Sequence, residues 1–160
     1  MSDRRSAALD YLQQQEGAFI NELKDFLKLP SISTMTEYKS EMVHAAEWLA
    51  EKLNRLGMVN VEIFPTAGHP IVFGQSQLVD KNRPTVLVYG HYDVQPVDPL
   101  DLWESRPFEP EVRGEYIFAR GATDMKGQVM AALNAIDAVK ETGVLPLIFK
   151  FIFECEEEIG

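Results

Sequence analysis

From Ala7 to Leu29 apolar residues recur at helical spacing, with Leu12, Phe19, Ile20, Leu23, Phe26 and Leu27 on one side before Pro30 ends the pattern. This predicts an amphipathic surface helix. A second helix is predicted with Ser40 as its N-cap, running through Met42, Ala46, Leu49, Leu53 and Leu56. It should stop at Gly57, the residue type best suited to a left-handed C-terminal turn. The period then changes to that of strands in "VNVEIFP" (59–65), "PIVFG" (70–74) and "PTVLVYG" (84–90), each bounded by Pro, Gly or Asn. The third run is apolar almost throughout, which predicts a central strand covered on both faces.

Residues 97–114, with Pro99, Pro107 and Pro110, read as an irregular surface loop, followed by a short strand "EYIFA" (115–119). Loops of that length are commonly functional. From Gly127 to Val139 the set Val129, Met130, Leu133, Ile136 and Val139 repeats as a helix face that Gly143 closes, and "LPLIFKFIF" (145–153) is a last strand. Strand, helix, strand is the signal for a right-handed parallel crossover. The fold class predicted is α/β, a mixed, largely parallel sheet flanked by helices, without internal repeat or linker.

Composition narrows the partners. The 160 residues, 46% hydrophobic, have the size of one ordinary domain and enough apolar mass to fill its core. Fifteen basic against 25 acidic residues give a net charge of −10, so nucleic acid and anionic membrane surfaces are not expected partners. The single cysteine, Cys155, cannot make an internal disulfide, and "MSDRRSAALDYLQQQ" has neither the apolar stretch of a signal peptide nor a spanning segment. The expectation is a soluble cytoplasmic protein. No G-x-G-x-x-G, P-loop or G-x-S-x-G pattern occurs, which removes nucleotide-phosphate cradling and a serine elbow. Acidic neighbours disfavour a Cys155 thiolate. His44, His69, Trp103 and Phe108 read as structural.

In three places an apolar element hands over abruptly to acids or a histidine: His91 and Asp93 after one strand, Asp124 before a helix, and Glu154 with Glu156, Glu157 and Glu158 after another strand. In open α/β sheets the carboxyl ends of strands are where ligands bind, so the three clusters should converge. In an extended segment residues two apart point the same way, which lets Asp93 accept a hydrogen bond from one ring nitrogen of His91 and leaves the other free. Taken alone, Asp124 reads first as an ordinary N-cap. Carboxylates packed at the end of a buried strand repel one another unless a cation compensates, and one histidine with carboxylates suits zinc, manganese or cobalt better than calcium or magnesium.

The stretches "GHYDVQPVDPLDLWESRPFEP", "ARGATDMKGQ" and "ECEEEIG", in this order and spacing and together with "LKLPSIS" (27–33), closely resemble the M20 metallopeptidases, and within them the carnosinase-like dipeptidase branch. The resemblance covers essentially the whole chain. It implies a catalytic α/β domain holding two divalent metal ions, zinc or manganese, that hydrolyses peptide or small amide bonds such as those of dipeptides. It further implies His91 as ligand of one metal, Asp124 as the carboxylate bridging both, Glu158 as ligand of the other, Asp93 as the partner of His91, and Glu157 as general base. A cis peptide between Asp124 and Met125 is also implied.

In the family, an acidic ligand, a histidine ligand and an inserted dimerisation domain lie further along than the "EEIG" motif that ends this chain at Gly160. Residues 1–160 are therefore expected to be the amino-terminal portion of a catalytic domain whose full-length parent is a homodimer. The alternative is a catalytically inactive metal-binding or dimer-interfering module.

Overall fold

The structure is a computed structural model that describes residues 2–78, 80 and 82–160. It begins with helix α1 (Ser2–Leu27) and, after a short 3-10 turn, helix α2 (Lys39–Arg55). Strands β1 (Val59–Phe64), β2 (Ile71–Gln75) and β3 (Thr85–His91) come next, then the small strands β4 (Glu111–Arg113) and β5 (Tyr116–Phe118). Helix α3 (Lys126–Glu141) and strand β6 (Ile148–Glu154) complete the chain, which ends in a 3-10 turn at Glu157–Ile159.

The two long helices form where the apolar spacing predicts them, with different ends. Ser40 does not cap α2: the turn Thr36–Tyr38 runs directly into the helix, Tyr38 stands at the N-cap without a side-chain bond, and Ser40 is already helical. Gly57 behaves as expected. It takes φ +70°, and the Met58 N–H reaches back to the Leu53 carbonyl at 3.0 Å.

The four long strands form one mixed sheet in the order β1-β2-β6-β3, with β3 and β6 parallel and the other neighbours antiparallel; β4 and β5 pair separately. The fold class is the expected mixed α/β arrangement, with a sheet that is partly rather than largely parallel, and α3 is the crossover between the parallel pair. Phe151 and Phe153 of β6 and Cys155 just past its end alternate onto one side and are fully buried with Val72, against Leu49 and Leu53 of α2 and Val129, Met130 and Leu133 of α3. Each such side chain contributes on the order of 1.5–3 kcal/mol by leaving water. Phe26, near the end of α1, stacks on Trp48 of α2 with ring centroids 4.5 Å apart and belongs to the same core.

One expectation fails. The apolar strand β3 is an edge strand among the described residues, and Leu87 and Tyr89 are 57% and 55% exposed. Only its last two residues, Gly90 and His91, are buried. An apolar run reports a preference for cover without specifying which neighbour supplies it, so periodicity alone could not place β3 at the centre.

Candidate metal centre

Parallel pairing in register sets His91 opposite Glu154, so β3 and β6 end side by side. After β6 the chain passes through buried Cys155 and the turn Glu157–Ile159, which folds the acidic run back over the end of β3. The segment ahead of α3 delivers Asp124 to the same edge. The three clusters thus converge as the sequence predicts.

His91 Nε2 lies 3.0 Å from Asp124 Oδ1 and 3.8 Å from Glu157 Oε2. One ligating atom each from His91, Glu157 and Glu158 fall within 4.8 Å of one another. Asp124 is not the cap of α3, whose N-cap is Met125 without a side-chain bond. Its carboxylate turns instead to His91, and the Asp124–Met125 peptide is cis, as the resemblance implies. The acids are less enclosed than the sequence suggests. The Asp124 side chain is 73% exposed and that of Glu157 50%, because the strand gives way to a turn before the acidic run begins.

Beneath this open rim the supporting groups are dry. Asp93 is fully buried and saturated: Oδ1 lies 3.2 Å from His91 Nδ1, while Oδ2 accepts the Ser33 hydroxyl at 2.6 Å and the Glu158 N–H at 3.1 Å. The Asp93 carbonyl also lies 3.3 Å from His91 Nδ1. Nδ1 faces only Asp93 acceptors and Nε2 faces the Asp124 carboxylate, so each ring nitrogen has a carboxylate to donate to; an ion at Nε2 would replace that proton and leave the Nδ1 proton directed at Asp93. Burial lowers the pKa of the imidazole, but Asp93, Asp124 and Glu157 outweigh it and hold the group above its usual value. Glu158 is fixed a second time by the Gln95 amide, which donates to its carboxylate at 2.7 Å and its carbonyl at 3.2 Å.

Sequence reasoning missed the residues that support Asp93. Ser33 and Ser31, on the stretch after α1, donate to the Asp93 carboxylate and the Tyr92 carbonyl, both at 2.6 Å, and the Ser31 carbonyl accepts the Val94 N–H at 2.9 Å. The alternation Ser31, Ile32, Ser33 with Ile32 buried was the only local sign of that extended stretch, which bridges in parallel to Val94. His69, read as structural, donates from Nε2 to the Ser33 carbonyl at 3.0 Å. His44 lies exposed beside Glu41 on α2. Trp103 donates to the Val97 carbonyl at 2.9 Å under the Arg120 guanidinium, a packing role, also as read. Burial pushes the Cys155 thiol up to about 12, which removes it as a nucleophile. Arg120 donates to the Pro96 carbonyl, and Lys126 is wholly buried, its pKa pulled down to about 7 by desolvation.

The donor set fits a divalent ion of the zinc or manganese class. It offers one imidazole nitrogen, with its other nitrogen tied to a carboxylate, and several carboxylate oxygens on an open rim.

The chain resembles known proteins in both sequence and fold. Residues 87–160 match the model of peptidase family M20/M25/M40. The chain is 33% identical to a Cys-Gly metallodipeptidase of Candida albicans over 94% of its own length and 34% of the relative's, and 32% identical to the Beta-Ala-His dipeptidase of Homo sapiens over 94% and 32%. Among solved structures it superposes on a di-peptidase of Saccharomyces cerevisiae with a TM-score of 0.90 at 26% identity, over 100% of this chain and 36% of that one. On human carnosine dipeptidase 1 the TM-score is 0.86 at 31% identity, over 97% and 35%. The chain spans about a third of the length of the curated relatives it matches.

Proposed function

The chain belongs to peptidase family M20/M25/M40, and from that premise we propose that its convergent cluster is the metal-holding part of an enzyme hydrolysing the peptide bond of dipeptides or similar small amides. The observation that carries this is the meeting of His91 Nε2 with Asp124 and Glu157 over an Asp93 that fixes the imidazole tautomer. Residues 1–160 are then the amino-terminal portion of the catalytic domain of a homodimeric parent, and its lone buried thiol suits the cytoplasm.

Two divalent ions, zinc or manganese, would be held by His91, Asp124 and Glu158, and would supply polarisation of the scissile carbonyl and an acidified water. The chain's own residues divide the remaining work. Asp93 keeps the proton on Nδ1 and so keeps Nε2 available as a ligand atom. The exposed Asp124 carboxylate has two oxygens to share. Gln95 and the Glu158 N–H bond to Asp93 hold Glu158 in place, as a ligand requires. Glu157, half-exposed and next along the chain, is the carboxylate free to take a proton from water and pass it to the leaving amine.

The test is to titrate the chain with manganese and zinc, measure bound metal by elemental analysis and assay dipeptide hydrolysis in the same samples, with Asp124→Ala as control. Metal uptake lost in the control supports the reading, and absence of uptake by the unsubstituted chain rejects it. Turnover in these samples would assign catalysis to these 160 residues themselves; uptake without turnover would leave them the metal-holding part of the parent site.

A further inference from the structure

Lys126 opens α3 two residues after Asp124 and is completely buried, yet among the described residues no carboxylate lies within ion-pair distance of it. Its Nζ donates instead to the carbonyls of Phe26 at 3.2 Å and Leu29 at 2.7 Å, and lies 4.8 Å from the centre of the Phe26 ring. Phe26 lies in the last turn of α1 and Leu29 two residues past its end, and each carbonyl also accepts one turn N–H, from Leu29 at 3.3 Å and from Ser31 at 2.9 Å. Asp93 favours the charged form without outweighing the desolvation of a wholly buried ammonium, which is costly, and an apolar side chain of similar length would fill the space without that cost. The bonds must therefore do something that packing alone does not.

The hydrogen bonds of the chain beyond Leu29 reveal that role. Ser31 N–H returns to the Leu29 carbonyl at 2.9 Å, the Ser31 carbonyl accepts the Val94 N–H, and the Ser33 hydroxyl donates to Asp93 Oδ2. Asp93 in turn orients His91 and accepts the Glu158 N–H. We propose that Lys126 is a positioning residue of the site: by clamping the end of α1 to the start of α3, it fixes segment 29–33, and through Ser33 and Asp93 it sets His91 and Glu158 relative to Asp124. One side chain on the Asp124 element thereby keeps the other two ligand clusters in register with it. The inference deepens the metal-centre reading and depends on it for one arm of its test.

Lys126→Met retains the stem and removes the donors. In the metal-free protein, amide exchange should accelerate at Ser31, Val94 and Glu158, while the β1–β2 pair stays protected. Leu133→Ala, a core cavity in the same helix, should lower the melting temperature without that local pattern. In the second arm, cobalt titrated by its visible absorption should bind about tenfold more weakly to Lys126→Met. In a Ser33→Ala background the same substitution should cost much less, because both act along one path. Where Lys126→Met does not fold, Lys126→Gln, which keeps two N–H donors on a shorter stem, should fold and give the same pattern more weakly. Unchanged exchange at Val94 and Glu158, or additive cobalt effects in the double variant, would overturn the proposal. Failure of the unsubstituted chain to bind cobalt would instead reject the metal centre, and the exchange arm would still decide the role of Lys126.

Discussion

At the scale of single residues, the site depends on a carboxylate that touches no solvent. Asp93 spends one oxygen on His91 and the other on Ser33 and Glu158. In Asp93→Asn one of those positions becomes an N–H₂ facing a donor, either the His91 ring or the Ser33 and Glu158 pair. We expect metal affinity to fall about 10- to 100-fold, with His91 driven toward the wrong tautomer, as measured by metal titration. The His91–Asp93 pair could be read from the sequence, because two residues apart on an extended segment fixes the geometry locally. Ser33 could not: it reaches Asp93 across 60 positions, and a serine in a short stretch after a helix carries no mark of its distant partner. Asp124 was ambiguous for the same reason, since capping and ligation present the same residue type at the same place.

At the scale of elements, periodicity predicted the three helices and every strand except β4, which lies in the stretch 97–114 read as an irregular loop, but not how one element leans on another. Helix α1 packs along α3, and Tyr11 donates to Asp137 across that seam at 3.3 Å. Burial and the Asp137 carboxylate raise the Tyr11 pKa above its usual value near 10. A group whose folded pKa is raised adds stability in full below its unfolded pKa, and that contribution is lost as pH rises through the folded value. The chain should therefore lose some urea resistance above pH ~10, and Tyr11→Phe should remove that part of the alkaline loss while lowering the midpoint slightly at pH ~8. Urea titrations of both proteins at the two pH values check it. Gly127 shows a finer fit the pattern did not anticipate: a Cβ there would overlap the Ala122 carbonyl, so the turn carrying Asp124 folds tightly onto the first turn of α3.

For the molecule as a whole, the sheet presents a free edge among the described residues. Leu87 and Tyr89 on β3 stand more than half exposed at that edge, an arrangement that invites pairing with another strand. Leu87→Lys should reduce self-association in sedimentation at high concentration while leaving the melting temperature within about 2 °C, since an exposed side chain far from caps and core changes stability little. The ligand clusters also lie far apart along the chain. His91 meets Asp124 across 33 positions and Asp93 meets Glu158 across 65, so beyond the local His91–Asp93 pair the cluster is not complete until the sheet and α3 have assembled. An ion bound there would accordingly leave the folding rate nearly as it is and slow unfolding, prolonging the life of a fold it had no part in starting.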